Sequence, residues 1–354
     1  MHNNLKRTIM NEQSSAMSTA DRLITIPRRL GASGIEVSPV GMGCMGLTHA
    51  SGDPLPNAEA IHIVREAFEM GYTLFDTAEA YTGMRPDGST AYNEEVVGKA
   101  LAPVRDKVTI VSKFGVGIDA DRSLVLDSSP ATIRASVEGS LRRLGTDYID
   151  LYYQHRIDPH TAPEEVAEVM AELIAEGKIC SWGISEATED YLRRAHAVCP
   201  VSAIENRYSM AARAHEALFQ VCEELDVAFV AFSPMANGLL TGAYGANTTF
   251  EGSQDYRAGM PQYTEEGMAR AAKLLEMLDE LGKKHDATSA QISLAWVLAK
   301  RPYLIPIPGS RKTARLRENL AAAMVELSSQ EMSALDAALD TMNLLVFGGH
   351  AAKD

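Results

Sequence analysis

The chain has few cysteines, no long apolar run and no excess of positive charge, and each of these features excludes a class of protein. Its 354 residues hold four cysteines, none of them in a CxxC pair. This predicts free thiols in a reducing cytoplasm rather than a disulfide-rich secreted fold. No apolar run approaches the roughly 18 residues that a membrane-spanning helix needs. The net charge of −14 argues against a broad surface for nucleic acid or anionic membrane, but it leaves room for one local basic pocket.

The two ends of the chain differ in composition from the middle. Residues 1–23 are polar and lack the apolar segment of a secretory signal, so we interpret them as a flexible leader. Residues 24–341 contain no repeat and no low-complexity linker, and α/β barrels of this size are often single units. We therefore predict one domain over residues 24–341, followed by a C-terminal tail over residues 342–354.

Short apolar runs alternate with amphipathic segments through most of the chain. One strand is predicted near residues 37–40, and seven more apolar runs follow: TLFD, VTIVSKFG, IDLYYQH, KICSWGIS, VSAIEN, VAFVAFSP and LIPIPGS. Each is followed by a helix-like segment, which predicts an α/β fold of the (β/α)8, or TIM, barrel type. An open doubly wound sheet is the alternative. A β-hairpin over residues 24–40 precedes the alternation, and we expect it to plug one end of the barrel.

Polar residues mark the predicted starts of several helices. Asn57, Asn93 and Ser129 stand where N-caps are expected, and Thr161 with Glu164 has the pattern of a capping box. The longest irregular stretch, residues 236–262, is rich in Gly, Thr and Ser. We interpret it as a mobile loop at the active-site rim.

The stretch VGMGCMGLTH contains the dinucleotide-binding pattern GxGxxG, at Gly41, Gly43 and Gly46. In a Rossmann fold a helix follows the glycines at once, and an acidic residue comes about 20 residues later. Here LTHASGDPLP intervenes before any helix can begin, and Asp76 lies 35 residues beyond Gly41. We therefore reject the Rossmann interpretation and expect these glycines to let the first loop lie close to something flat.

Chemically active side chains stand at the ends of three consecutive predicted strands. Asp76 ends the first, Lys113 lies at the end of the second, and His155 ends the third, while Tyr81 follows in the loop after Asp76. Each residue taken alone is more often a cap, a solvated strand end or a packing group. Because the C-terminal ends of barrel strands share one rim, the coincidence favours a catalytic site there.

The chemistry that these four groups support is proton delivery to a carbonyl oxygen. A phenol has an ordinary pKa of about 10, and an adjacent ammonium favours its ionised form. We therefore expect Lys113, held by Asp76, to lower the pKa of Tyr81 and make it a general acid or base. His155 can polarise the carbonyl. Since no side chain carries hydride, the reduction of an aldehyde or ketone requires a nicotinamide cofactor.

The segment IPIPGSRKTARLRENL is the candidate phosphate site. Arg311, Lys312, Arg315 and Arg317 stand at the start of a predicted helix after the last strand, with no acidic residue among them. Cations at a helix N-terminus form an anion site, and barrels often bind phosphate after their last strands. The alternative is a solvated basic face.

These segments together resemble the aldo-keto reductase family. FDTAEAY, SKFG and SLRRLGTDYIDLYYQHR are similar to its catalytic segments, IPGSRKTARLRENL is similar to its NADP(H) segment, and the resemblance covers about residues 26–339. It implies a barrel that binds NADPH extended across the rim, with Tyr81 as proton donor and Asp76, Lys113 and His155 as its catalytic partners. It also implies a set of cofactor-binding residues: Cys44, Met45, Asp76, Ser185, Glu186, Glu205, Phe232, Ser233, Pro234, Met235, Gly238, Leu239, Gly309, Ser310, Arg311, Lys312, Arg315, Glu318 and Asn319.

Two positions depart from the family pattern. Glu186 stands where many members have Asn, and Glu205 stands where the family has a Gln that both donates to and accepts from the nicotinamide carboxamide. A carboxylate can only accept. Either a neighbouring group donates in its place, or Glu205 is held protonated.

Two other classes of function are considered. Some relatives of this family serve as ion-channel β subunits with slow turnover, so an interaction subunit is the main alternative, although the chain shows no docking feature. His155-x-x-Asp158-x-His160 suggests a metal hydrolase on the same barrel. Against this, Asp158 with Pro159 is typical of a turn, and no His-x-His pair ends the first strand. We expect no metal, and a small carbonyl or alcohol as the substrate.

Overall fold

The structure, a computed structural model, describes residues 27–118, 124–245, 248–250 and 255–347. Its centre is a sheet of eight parallel strands in which neighbours along the chain are neighbours in space. In chain order these strands are β1 Met42–Gly43, β2 Leu74–Asp76, β3 Thr109–Phe114, β4 Ile149–Gln154, β5 Ile179–Ser185, β6 Ala203–Arg207, β7 Ala228–Phe232 and β8 Leu304–Pro306. The predicted leader and the end of the predicted tail lie outside the described residues.

The sheet closes on itself between its first and last strands. The amide of Gly41 donates to Pro306 O at 3.0 Å, and the amide of Gly43 donates to Pro308 O at 3.4 Å. A Cβ on Gly43 would lie 2.7 Å from Ile307 O, which is why the two backbones need glycine at this contact. The predicted (β/α)8 barrel is confirmed and the open sheet is wrong. Gly41 and Gly43, the first two glycines of the GxGxxG pattern, lie at the barrel seam.

Helices surround the barrel. One apolar core lies between these helices and the outer face of the strands. The helices are α1 Asn57–Met70, α2 Asn93–Leu101, α3 Pro130–Leu144, α4 Pro163–Ala175, α5 Glu189–Val198, α6 Leu218–Leu225, α7 Glu265–His285, α8 Ser289–Lys300, α9 Thr313–Ala321 and α10 Ser329–Thr341. Within the parts of the chain that the structure describes, no helix is long and apolar enough to cross a membrane.

The barrel interior is filled by alternate strand residues and is closed below by the predicted hairpin. Strands Arg28–Arg29 and Glu36–Val37 pair antiparallel. Leu30 and Val37 are buried against interior strand residues such as Leu151. The rim loops carry two further hairpins, Thr82–Met84 with Thr90–Tyr92 and Val116–Ile118 with Leu124–Leu126. The chemically active side chains predicted at the strand ends therefore lie at the opposite, C-terminal rim.

Some predicted boundaries were wrong. The first barrel strand is Met42–Gly43 rather than residues 37–40, because Val37 pairs with the hairpin and Pro39 has no amide for the sheet. Asn57 and Asn93 are the first helical residues rather than caps. Ser129 does cap α3, accepting from Thr132 N.

The predicted capping box at Thr161 is also absent. The Thr161 hydroxyl instead donates to Asp158 Oδ2 at 2.7 Å, and α4 begins at Pro163. Its N-cap, Ala162, has no side-chain cap. The helix therefore begins one residue later than the predicted capping box requires.

Candidate active site

Lys113 and Asp76 form a buried ion pair at the C-terminal rim of the barrel. They lie near the ends of the adjacent strands β3 and β2, where the pleat directs both side chains to the barrel interior. Lys113 is 0% exposed, and its Nζ lies 2.6 Å from each carboxylate oxygen of Asp76. It also donates to Thr77 O at 3.0 Å. Burial lowers the pKa of Lys113, but Asp76 and other nearby groups outweigh this and raise it, so the ammonium stays charged.

Glu205 is the second carboxylate in contact with this lysine. It lies on β6, across the barrel from β3, and its Oε1 is 3.4 Å from Lys113 Nζ. Its Oε2 is buried without a hydrogen-bond partner. Burial and the neighbouring Asp76 raise the pKa of Glu205 to about 8, although Lys113 opposes them. The family's neutral amide position is thus occupied here by an ionisable group.

Tyr81 lies in the loop after β2 with its hydroxyl over this cluster. The hydroxyl is 3.4 Å from Lys113 Nζ, and its ring contacts the ring of His155 edge-on at 5.6 Å between centroids. Lys113 lowers the pKa of Tyr81, as expected, but burial raises that pKa by more, and Asp76 and Glu205 raise it further. The net shift is therefore upward, opposite to the predicted one. At neutral pH Tyr81 is a protonated phenol.

His155 follows β4 directly and completes the group of four. It is 8% exposed, its backbone amide donates to Phe114 O at 2.9 Å, and its Nδ1 is buried without a partner. Burial, then the positive charge of Lys113, holds the pKa of His155 well below its usual value. The ring is therefore neutral at physiological pH and has one N–H to donate.

A cavity of about 1370 Å³ runs from this cluster to the loop after β8. Most of the residues that the resemblance implies for the cofactor line it: Met45, Asp76, Glu205, Phe232, Ser233, Pro234, Met235, Gly238, Gly309, Ser310, Arg311, Lys312, Arg315 and Asn319. Cys44 and Leu239 face the apolar core between barrel and helices. Ser185, Glu186 and Glu318 lie beside the cavity with their side chains in polar contacts.

Those polar contacts are with neighbouring side chains or backbone. The hydroxyl of Ser185 accepts from Arg156 at 3.0 Å, and Glu186 accepts from the amide of Arg207 at 3.2 Å. Glu318 accepts from Arg315 at 2.7 Å. These three residues therefore border the cavity through the groups they bind.

The loop after β7 reaches the cavity by a sharp backbone turn. Ser233, Ala236 and Asn237 have positive φ angles of 50°, 48° and 59°, and Gly238 has 107°. Such conformations cost energy for residues other than glycine and cluster at functional sites. Tyr263 holds the turn by donating to Asn237 O at 3.0 Å. In the described part of the stretch 236–262, which was predicted as irregular, the chain forms 3-10 turns at Ala236–Thr241 and Tyr256–Gly259, and another, Pro261–Tyr263, begins at its end.

Three of the four cations of the predicted phosphate site line the far end of the cavity. Arg311 donates to the backbone oxygens of Gly46 and Gly52, so it joins the last barrel loop to the first. Arg315 pairs with Glu318, and Lys312 stands at the N-terminus of α9. Arg317 is exposed and does not line the cavity.

Four aromatic or charged residues are among the cavity-lining residues that the sequence interpretation missed. His49 stacks on Tyr81 at 6.0 Å between ring centroids. The guanidinium groups of Arg156 and Arg207 lie 5.8 and 4.9 Å from the ring centroid of Phe232. The ring centroid of Phe347, a residue of the predicted tail, lies 5.5 Å from the guanidinium of Arg207. Arg207 was foreseeable, because strand alternation puts it on the same face as Glu205.

The motif that suggested a metal hydrolase forms a turn. Asp158 accepts hydrogen bonds from the amides of Ser128 and His160, both at 2.9 Å, and from the hydroxyl of Thr161. Its carboxylate is therefore occupied by backbone and hydroxyl donors. Throughout the described ranges, no group of three or more His, Cys, Asp or Glu side chains is arranged to hold a metal ion.

Fold and site define a (β/α)8-barrel enzyme with its reactive groups at the C-terminal rim. The family model described as the aldo/keto reductase family matches residues 39–340. A probable aldo-keto reductase of soybean, Glycine max, is 38% identical over 308 residues, which are 86% of each chain. The chain therefore belongs to the aldo/keto reductase family, and by that membership it is an oxidoreductase.

Solved structures agree with this assignment. A glycerol dehydrogenase from Gluconobacter oxydans has a TM-score of 0.78 at 26% identity, covering 90% of this chain and 96% of its own. An aldo-keto reductase from Bacillus halodurans, solved in holo form, has a TM-score of 0.70 at 27% identity, covering 91% of this chain and 97% of its own. The family generally uses a nicotinamide cofactor and acts on small carbonyl compounds.

Proposed function

We propose that this protein is an NADPH-dependent reductase of an aldehyde or ketone, with Tyr81 as the proton donor. The observation that carries the proposal is the contact between the Tyr81 hydroxyl and Lys113 Nζ, 3.4 Å apart beside a neutral His155. A protonated phenol next to an ammonium can release its proton as negative charge develops on a carbonyl oxygen. The ammonium then stabilises the phenolate that remains.

His155 is suited to orient the substrate. Its ring meets the Tyr81 ring edge-on and lines the cavity, so both groups face the same small volume. A neutral imidazole N–H can donate to the carbonyl oxygen without adding a competing proton source. Two donors aimed at one oxygen polarise the carbonyl where the charge develops, and such preorganised donors are a large part of catalysis in general.

The cavity suits an extended dinucleotide. Its floor has the unpartnered Glu205 Oε2, its middle has the ring of Phe232, and its far end has Arg311, Lys312 and Arg315. Lys312 and Arg315 supply charge for an adenosine 2′-phosphate, which distinguishes NADPH from NADH. When bound, the nicotinamide supplies the hydride that reduces the carbonyl carbon, while Tyr81 supplies the proton to the oxygen.

An NADPH-oxidation screen over aldehydes, ketones and sugars tests this proposal, with NADH run in parallel. We expect turnover with NADPH and weaker turnover with NADH. Because one structural neighbour is a glycerol dehydrogenase, the screen includes polyols with NADP⁺ in the reverse direction. Tight NADPH binding without turnover on any substrate would instead favour the interaction subunit. Activity that disappears with a chelator and needs no nicotinamide would favour a hydrolase.

A further inference from the structure

The cluster beneath Tyr81 contains more acid than base. Asp76 and Glu205 are each 3% exposed, and both contact the single buried cation Lys113. Among the described residues, no other cation lies within ion-pair distance of either carboxylate. If both carboxylates were ionised, the C-terminal rim would hold one uncompensated negative charge on groups that are almost entirely buried. Burial of an unpaired charge is costly, and a group in that position takes up a proton instead.

The geometry distinguishes the two carboxyl groups. Asp76 has both oxygens at 2.6 Å from Lys113 Nζ, whereas Glu205 has one oxygen at 3.4 Å and leaves Oε2 without a partner. The ammonium therefore stabilises ionised Asp76 more than ionised Glu205. Glu205 and Asp76 are also in side-chain hydrogen-bonding contact, which raises the pKa of Glu205 and lowers that of Asp76, so a proton shared by the pair belongs to Glu205. From Glu205 that proton can be donated to Asp76 or, on Oε2, toward the cavity that Glu205 lines.

The other titratable groups around Glu205 do not supply the missing positive charge. Tyr153 on β4 and Tyr81 lie near Glu205, and burial raises the pKa of both phenols, so they are neutral. His155 is neutral as well, since burial lowers its pKa. Arg207, two residues along β6, lies over the ring of Phe232. Burial and Asp76 together keep the pKa of Glu205 near 8, in agreement with the contacts.

We propose that Glu205 is protonated at neutral pH and that its Oε2–H is the hydrogen-bond donor that positions the nicotinamide carboxamide. A carboxylic acid donates one hydrogen bond and accepts others, as a Gln amide does, whereas a carboxylate only accepts. Glu205 is a positioning residue. As the pH rises through the pKa of Glu205, the carboxyl group loses its proton and can no longer donate. The part of this inference that concerns the cofactor rests on the proposed function, and the protonation itself does not.

Infrared spectroscopy of the protein without cofactor tests the protonation. We expect the difference spectrum between wild type and Glu205→Gln to show a protonated carboxylic acid at about pH 7 that disappears above about pH 9. In Asp76→Asn, Lys113 is left to pair with Glu205 alone, so the same band should be absent at pH 7. A wild-type spectrum with no titrating acid band, or a band that survives in Glu205→Gln, overturns the proposal. The wild-type pH titration stands even if a variant does not fold.

Equilibrium binding tests the donor. NADPH binding can be followed by the fluorescence of NADPH. Its dissociation constant should rise about tenfold at one pH unit above the pKa of Glu205. Glu205→Gln should bind NADPH with an affinity that is flat over the same pH range, because its amide donates at every pH. Equal pH dependence in both proteins overturns the positioning role. If neither protein binds NADPH at any pH, the proposed function fails, and the infrared result still decides the protonation.

Discussion

The ammonium of Lys113 lies 2.6 Å from both carboxylate oxygens of Asp76, and both side chains are buried at the C-terminal rim of the barrel. Removing one partner of such a pair leaves a buried charge uncompensated, at a cost of about 3–5 kcal/mol. We expect Lys113→Met to lower the free energy of unfolding by about that amount, measured by urea denaturation. The double variant Asp76→Asn/Lys113→Met should recover part of the loss. A double variant as unstable as the sum of the two single changes would show that the charges do not interact.

Tyr81→Phe should abolish carbonyl reduction while leaving NADPH binding close to that of the wild type. The substitution removes only the hydroxyl, and its proton is needed only as charge develops on the substrate oxygen. Single-turnover rates and the NADPH dissociation constant check the two halves of this prediction. Substantial remaining turnover would show that another group protonates the oxygen.

The rate of reduction should stay constant as the pH falls from about 7.5 to about 6. Burial and Lys113 hold the pKa of His155 well below its usual value, so the neutral, donating ring persists until the pH falls below that lowered pKa. Burial raises the pKa of Tyr81, so the phenol keeps its proton throughout this range. Initial rates of NADPH oxidation across the range provide the measurement.

His49→Asn serves as the control for that profile, because the ring of His49 also stacks on Tyr81. A rate that declines through about pH 6.5 in both proteins would mean that His155 protonates near the ordinary value for a histidine. Such a result would contradict the neutral-imidazole role.

Arg315→Ala should weaken NADPH binding roughly tenfold to a hundredfold and NADH binding little. One charge-assisted contact contributes about 1.5–3 kcal/mol, and NADH has no 2′-phosphate to make it. Dissociation constants of both cofactors are the measurement, and raised salt should partly mimic the substitution. Arg317→Ala is the matched control, since it removes a cation of the same helix that does not line the cavity. Equal losses for both cofactors in Arg315→Ala would show that the loop is only a solvated basic face.

Gly43→Ala should destabilise the fold by about 1–3 kcal/mol, as over-packing at close contacts does. Its Cβ would lie 2.7 Å from Ile307 O, a backbone atom that can move only if the barrel seam opens. Gly117→Ala is the control, because a Cβ there meets nothing within 4 Å. Urea denaturation should separate the two variants. Equal stabilities would mean that the seam tolerates a methyl group.

The sequence predicted those parts of the site that depend on strand order. Asp76, Lys113 and His155 end consecutive strands, and parallel strands bring their C-terminal ends to one rim, so alternation alone placed them together. The contact between Lys113 and Glu205 was not predictable in this way. Strands β3 and β6 are separated by two others, and the distance across the barrel depends on how its interior is packed.

Helix boundaries and contacts between distant loops limited other predictions. Thr161 caps no helix because the helix begins one residue later than its pattern indicates, with Ala162 as the N-cap. The contact of Arg311 with Gly46 O depends on closure of the barrel rather than on local pattern. The pKa of Tyr81 was misjudged because the sequence suggested one nearby cation, whereas the fold adds burial and a second carboxylate.

The barrel seam also has a consequence for the order in which the protein assembles. It joins the amides of Gly41 and Gly43 to the carbonyls of Pro306 and Pro308, partners separated by more than two hundred residues. A ribosome emits the chain from its N-terminus, so the first strand must wait for nearly the whole domain before its second neighbour exists. Met45 and Arg311 line the cavity from opposite sides of this seam. This cavity is therefore among the last features of the molecule to form.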